Sequence, residues 1–136
     1  MDIAEINRSV ITQFRAGGPI EGMQRDRLLL LTTTGRHSGT ARTTPMMFHR
    51  SGDHLVVIAS NMGATRHPDW YLNLVADPHV TVEIGDESYT AVATPLAGAD
   101  HDRVWGELVA AYPFFADHAV AAAERTIPVV ALSPTA

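Results

Sequence analysis

The sequence predicts an α+β fold dominated by β structure: about six strands in a mainly antiparallel sheet, able to curl into a small barrel, with helices packed outside. Three observations carry this expectation. Short apolar and β-branched runs follow one another across tight glycine-bearing turns, which favours antiparallel pairing. The elements read in the order α-β-β-β-α-β-β-α-α-β. The alternating βαβ units of a doubly wound parallel sheet are missing.

Taken in order, Ile3, Ile6, Val10, Ile11 and Phe14 recur at helical spacing, so residues 2–15 form an amphipathic helix that "GGP" (Gly17–Pro19) ends. Leu28–Thr34 ("LLLLTTT") is short and suits a buried strand. Arg42–Arg50 is a second strand, in which Pro45 implies an edge or a bulge because proline has no N–H for the ladder. "SGD" (Ser51–Asp53) is a hairpin turn into a third strand, His54–Ser60. Asn61–Pro68 is a loop, with Pro68 at the first position of a helix that stops before Pro78. Val80–Ile84 and Glu87–Pro95 pair around Gly85-Asp86. Asp100 is placed to cap a helix running to about Tyr112, Pro113 interrupts it, helix resumes over Phe114–Glu124, and Ile127–Leu132 is the last strand. The expected organisation is a single domain over 1–136, with an N-terminal helix at 1–16 and the barrel with its helices at 28–134.

Composition narrows the chemistry. The chain has 136 residues and a net charge of −5, which argues against a general nucleic-acid partner. No apolar run reaches the roughly 20 residues of a membrane span, and the N-terminus lacks a secretory h-region, so cytoplasmic residence is expected. With no cysteine, thiol nucleophiles and thiolate metal sites are excluded. All ten cationic residues are arginine, so Schiff-base chemistry and a P-loop lysine are excluded as well. The seven histidines are scattered, without metal-ligand spacing, and no metal is expected.

Two stretches stand out. "TTTGRHSGTARTTP" (Thr32–Pro45) gathers Arg36, His37 and Arg42 around Gly35 and Gly39. The glycines would let backbone N–H groups point inward as an anion nest, with Arg36, His37, Ser38 and Arg42 as added donors. Arg66-His67, just before a helix N-terminus, is a second cationic point. The competing reading is a solvated hairpin loop. "AYPFFADH" (Ala111–His118) clusters Tyr112, Phe114, Phe115 and His118 around Pro113. It reads either as an aromatic wall over a flat ligand or as a helix junction packed on the barrel, the latter suiting Phe114. Trp70 and Tyr71 read chiefly as core.

Together, "LLLLTTTGRHSGTARTTPMMF", "VVIASNMGATRHPDWYLNLVADPHVTV" and "AYPFFADH…RTIPVVALSP" resemble the deazaflavin-dependent nitroreductase family of actinobacteria, in matching order and spacing from Leu28 to Pro134. The resemblance implies a split β-barrel related to flavin mononucleotide (FMN)-binding split barrels. It implies the deazaflavin coenzyme F-420, whose phosphate and oligoglutamate tail would explain the arginines on the turn. By similarity, Arg36, His37, Ser38 and Arg42 would meet the tail and phosphate, and Thr43, Thr44, Pro45 and Met47 would line the groove. Ser60, Asn61, Gly63, Ala64 and Arg66 would hold the phosphate side and the start of the ring, with Trp70 and Asn73 supporting that loop. The substrate, a small electron-poor hydride acceptor such as an enone, quinone or nitroaromatic, would lie against Tyr112, Phe115 and His118.

The chain departs from the family pattern at His37 and Asn61, where lysine is common, and at Phe115 and His118, where tyrosines are common. His37 implies pH-sensitive tail binding. The two missing phenols argue against nitroimidazole reduction while leaving hydride transfer in place. Two alternatives stay open: a split-barrel reductase using FMN, and a module that binds coenzyme or anion without turnover. Either a monomer or a homodimer is compatible with the sequence.

Overall fold

The computed structural model describes residues 2–122 and 125–135. Helix α1 (Ile3–Ala16) starts where the Asp2 carboxylate accepts the Glu5 N–H at 2.8 Å and ends at Gly17, whose φ of +84° only glycine adopts without strain. It buries Val10 and Phe14 against Ile20, Leu28 and Leu30.

Six strands follow: β1 (Leu28–Thr34), β2 (Ala41–Ser51), β3 (His54–Ile58), β4 (His79–Ile84), β5 (Glu87–Pro95) and β6 (Val129–Pro134). They close into a barrel in the order β1-β2-β3-β6-β5-β4, with every neighbouring pair antiparallel and β4 returning to β1. The leucine run of β1 is explained by burial on both faces. Leu29 and Leu31 point into the barrel with Leu55, Val57, Val82 and Leu132, while Leu28 and Leu30 lie under α1. Helix α2 (Asp69–Ala76) sends Leu74 into the barrel interior. Helices α3 (Gly98–Ala111) and α4 (Phe114–Ala121) cover the outer face of β3 and β6 through Val104, Leu108 and Phe115.

Strand β2 changes partners along its length. Ala41–Met47 pair with β1, whereas pairing with β3 begins only at Phe48. Pro45 therefore sits where one side of β2 has no strand beside it, so the expected edge exists locally inside a closed barrel. This gap is the split of a split barrel, and it opens the cleft described below.

Several expected boundaries shift. Helix α2 begins at Asp69, with Pro68 as its extended cap residue rather than its first helical residue. Ala97, not Asp100, is the cap residue of α3; Asp100 lies in the first turn without a capping bond. The third strand stops at Ile58: the Ala59 N–H still reaches the Pro128 carbonyl at 3.0 Å in the register of β6, but proline has no N–H to return the bond. The last strand starts at Val129, two residues later than expected, and α4 is assigned to Ala121; Glu124, expected at its end, lies outside the described residues. No helix of the described residues is long and apolar enough to cross a membrane.

Candidate functional site

The turn between β1 and β2 is built from its own polar groups. Gly35 donates its N–H to the Thr40 carbonyl and Gly39 donates to the Gly35 carbonyl, each at 2.8 Å. The Ser38 hydroxyl lies 2.8 Å from that of Thr40 and accepts the Thr40 N–H at 3.3 Å. The Arg36 N–H goes to Asn73 Oδ1 at 3.2 Å. The inward-pointing nest expected from the two glycines is thus largely consumed by the turn. Only the His37 and Ser38 N–H groups lack a backbone or side-chain partner among the described residues.

What the turn offers a ligand is side chains. Gly35, Arg36, His37, Ser38, Arg42, Asp69 and Asn73 line a cavity of about 300 Å³. Asn73, 5% exposed, accepts from Arg36 twice and donates Nδ2 to Thr33 Oγ1 at 3.3 Å, so it fixes the turn to α2 from behind. The Arg36 guanidinium also pairs with Asp69 at 3.2 Å, which leaves it oriented but partly neutralised. Neither Arg42 nor His37 has a carboxylate within ion-pair distance among the described residues, and Arg42 is the turn's uncompensated arginine.

Three residues further along β2, about 10 Å at the usual strand rise, the second cavity opens. It holds about 290 Å³ between Pro45, Met46 and Met47 on one side, Ile58, Ser60, Asn61 and Met62 behind, and Phe114, Phe115 and His118 on α4. Its walls are apolar, with the His118 imidazole among them; His118 Nδ1 is buried without a hydrogen-bond partner among the described residues. The floor is a bend in which Asn61 (φ +49°), Met62 (φ +54°) and Gly63 (φ +79°) are all left-handed. Asparagine tolerates this region and glycine prefers it, but methionine does not, at roughly 1–2 kcal/mol. Backbone strain of this kind gathers at ligand sites. A Cβ on Gly63 would stand 2.9 Å from Ala121 Cβ and 3.1 Å from the His118 carbonyl, so the bend packs directly on α4.

The remaining predicted residues divide. Thr43 and Thr44 lie on β2 between the two cavities, the Thr43 hydroxyl 2.8 Å from that of Thr32. Ala64 follows the bend, and Arg66 is exposed and pairs with Asp69 at 3.5 Å. Trp70 packs on the barrel interior and lines neither cavity. On the aromatic segment the roles are exchanged. Phe115, expected on the substrate wall, is 3% exposed and belongs to the core under α4, so it offers the cleft little surface. Phe114, read as packing, is 41% exposed at the cleft. Tyr112 turns its ring toward His49 at 6.2 Å and is absent from the cleft lining. The helical period explains the exchange: adjacent residues at the start of α4 point about 100° apart, and only one can face the barrel.

Sequence reasoning missed Arg125, and it read His67 only as part of a cationic point with Arg66. Arg125 donates to the carbonyls of Ala59 (2.9 Å), Ser60 (2.6 Å) and Ala64 (3.0 Å) and to His67 Nδ1 (3.0 Å). Burial, then the Arg125 charge, push the His67 pKa below its ordinary value, and burial also lowers that of Arg125. The one signal available in advance was a lone arginine in the apolar stretch "RTIPVV". Larger hollows elsewhere, about 430 Å³ beside Thr34 and Thr81 and about 500 Å³ between Arg25 and Arg50, contain none of the predicted residues. Chemistry rather than size selects the site.

Known proteins similar to this chain share a family. The family model described as F420H(2)-dependent quinone reductase matches residues 6–134. An F420H(2)-dependent quinone reductase of Mycobacterium tuberculosis is 39% identical over 79 residues, 57% of this chain and 53% of that protein, so the match spans about half the length of that relative. A second protein of the same organism, a putative F420H(2)-dependent quinone reductase, is 32% identical over 106 residues, 78% of this chain and 88% of its own. A solved F420-H2 dependent reductase superposes with a TM-score of 0.70 at 34% identity, over 79% of this chain and 94% of that one. A basic turn and an apolar cleft at the split of an antiparallel barrel, together with these matches, place the chain in the F420H(2)-dependent quinone reductase family, an oxidoreductase family with the split-barrel fold.

Proposed function

We propose that this protein uses reduced coenzyme F-420 to reduce an electron-poor conjugated acceptor, a quinone in the first instance, with enones and nitroaromatics as further members of the class. The observation that carries this reading is the placement of two unlike cavities along one strand. Arg42, His37 and the oriented Arg36 surround the first. Methionine, isoleucine and phenylalanine side chains surround the second. A ligand with a polyanionic tail and a flat ring fits that sequence of environments.

The donor set suits such a ligand: at one end Arg42, beside His37, stands without a carboxylate partner among the described residues, and at the other end lies an apolar cleft with an unpartnered His118 nitrogen. The cations of the turn would hold the tail, and Ser60, Asn61 and the Pro45–Met47 edge would border the ring. When bound, the reduced coenzyme would supply the hydride of a two-electron reduction. The chain's own contribution is position and dryness. Met46, Met47, Ile58 and Phe114 exclude water from the cleft, which strengthens every polar contact made inside it. The His118 imidazole carries the ring nitrogens on that wall, and an N–H there would donate toward negative charge developing on the acceptor.

Fluorescence titration with F-420, beside FMN as control, tests the reading. Saturable F-420 binding that weakens with salt, followed by acceptor-dependent oxidation of the reduced coenzyme, supports it. Preference for FMN, or binding without turnover across quinones, enones and nitroaromatics, overturns it.

A further inference from the structure

The bend that floors the cleft is held by a residue that lies far from it in sequence. Arg125 follows α4, and its guanidinium is ringed by acceptors: the carbonyls of Ala59, Ser60 and Ala64 and the Nδ1 of His67, at 2.6–3.0 Å. Four of its five N–H donors are used in this way. No carboxylate lies within ion-pair distance among the described residues, so the charge is met by backbone dipoles and one imidazole. Between the gripped carbonyls lie Asn61, Met62 and Gly63, all left-handed. Two backbone bonds close the bend, Gly63 N–H to the Ser60 carbonyl at 2.9 Å and Ala64 N–H to the Asn61 carbonyl at 3.0 Å. Neither would offset a strained methionine without an external hold.

We propose that Arg125 is a positioning residue for the reaction: by gathering the Ala59, Ser60 and Ala64 carbonyls around one guanidinium, with neutral His67 as fourth acceptor, it holds the left-handed bend that shapes the cleft. The functional half of this statement rests on the coenzyme-dependent reduction proposed above. An ammonium cannot replace the guanidinium, because a planar fork reaches several fixed carbonyls at once and a point charge does not. The His67 nitrogen accepts only while the ring is neutral. The groups facing it are Arg125, the Tyr71 ring of α2 at 4.8 Å, and the Arg66–Asp69 pair that flanks it in the chain; His118 of α4 lies beyond Gly63. None is a carboxylate in contact with the imidazole. Protonation would set a second cation against Arg125 and remove an acceptor, so the bend loosens in acid.

The experiment compares wild-type protein, Arg125→Lys and His67→Asn, whose Oδ1 can accept where Nδ1 did but does not titrate. Hydrogen-exchange protection of the Gly63 and Ala64 amides, corrected for intrinsic rate, is read at about pH 8 and about pH 5, beside F-420 affinity. Arg125→Lys is expected to lower protection of these two amides by roughly tenfold or more at the higher pH while the barrel strands keep theirs, and to weaken F-420 binding to a similar degree. Wild-type protein is expected to lose protection there in acid, and His67→Asn is not. Unchanged protection in Arg125→Lys, loss spread evenly over the barrel, or an acid response in His67→Asn equal to wild type overturns the clamp. A loosened bend with unchanged F-420 affinity and turnover overturns the positioning role. If wild-type protein binds no F-420, the proposed function and the positioning role fail together, while the exchange data still decide the clamp.

Discussion

The turn at Gly35–Gly39 and the bend at Asn61–Gly63 are short glycine-bearing connections on the same site, built in opposite ways. The turn's backbone is satisfied largely from within: Gly35, Ser38, Gly39 and Thr40 bond one another, while Asn73 and Asp69 of α2 hold Arg36. The bend closes on two short backbone bonds of its own, but its carbonyls are gripped from a distance, by Arg125 about sixty residues on, and Gly63 packs closely on α4. The difference follows from their tasks. A polyanion needs exposed cations on a pre-formed edge, which a local hydrogen-bonded turn supplies. An apolar cleft needs a floor with few polar atoms facing it, so the backbone's hydrogen bonds must be met from the far side.

The largest expected break in this comparison is Gly63→Ala. The new Cβ meets α4 backbone and Ala121 at a left-handed position, where neither neighbour is a flexible side chain. Loss of about 2–4 kcal/mol in urea unfolding is expected. Asn73→Leu comes next. It strips the acceptor from the Arg36 N–H and guanidinium, and about 2 kcal/mol of stability should go, together with coenzyme affinity, since both depend on the same turn. Arg42→Ala should leave urea stability within about 0.5 kcal/mol and weaken F-420 binding by about 1–3 kcal/mol, reduced at high salt. Arg36→Ala should split its effect between binding and stability, because Arg36 also ties the turn to α2.

Gly35→Ala sharpens the comparison at its small end. Its Cβ would come 2.6 Å from the Ser38 hydroxyl, a side-chain atom free to rotate away, and 3.3 Å from the Thr40 carbonyl. About 1 kcal/mol is expected, well below the Gly63 effect. The smallest expected signal is in the pH dependence of stability. His67 has a lowered folded-state pKa, so below its unfolded value of about 6.5 the unfolded chain binds more protons and stability falls as pH drops. His67→Asn should flatten that part of the profile, and equal slopes in the two proteins would remove His67 from the account.

The turn was legible in the sequence because its evidence is local. Two glycines, two arginines, a histidine and a serine fall within eight residues, and neighbours in the chain stay neighbours in the turn. Even there, pairing of Arg36 with Asp69, thirty-three positions away, was not visible, and it decides which arginine is uncompensated. The cleft was legible only in outline. Tyr112, Phe114, Phe115 and His118 were identifiable as a group, yet which ring faces the cleft depends on the phase of α4 against β3 and β6.

The sequence by itself determined the number and order of strands, the hairpins at Gly52 and Gly85, and the cationic character of the turn. Each rests on residues close together: side-chain period, turn chemistry and the fixed charge of arginine. The tertiary structure decided what depends on closure. Burial of β1 on both faces needs the barrel inside and α1 outside. The opening beside Pro45 needs β2 to exchange one neighbour for another. The grip of Arg125 on Ala59, Ser60 and Ala64 needs α4 to bring the chain back across the cleft. These are contacts between segments far apart in the chain, and no local pattern encodes a distance that only packing sets.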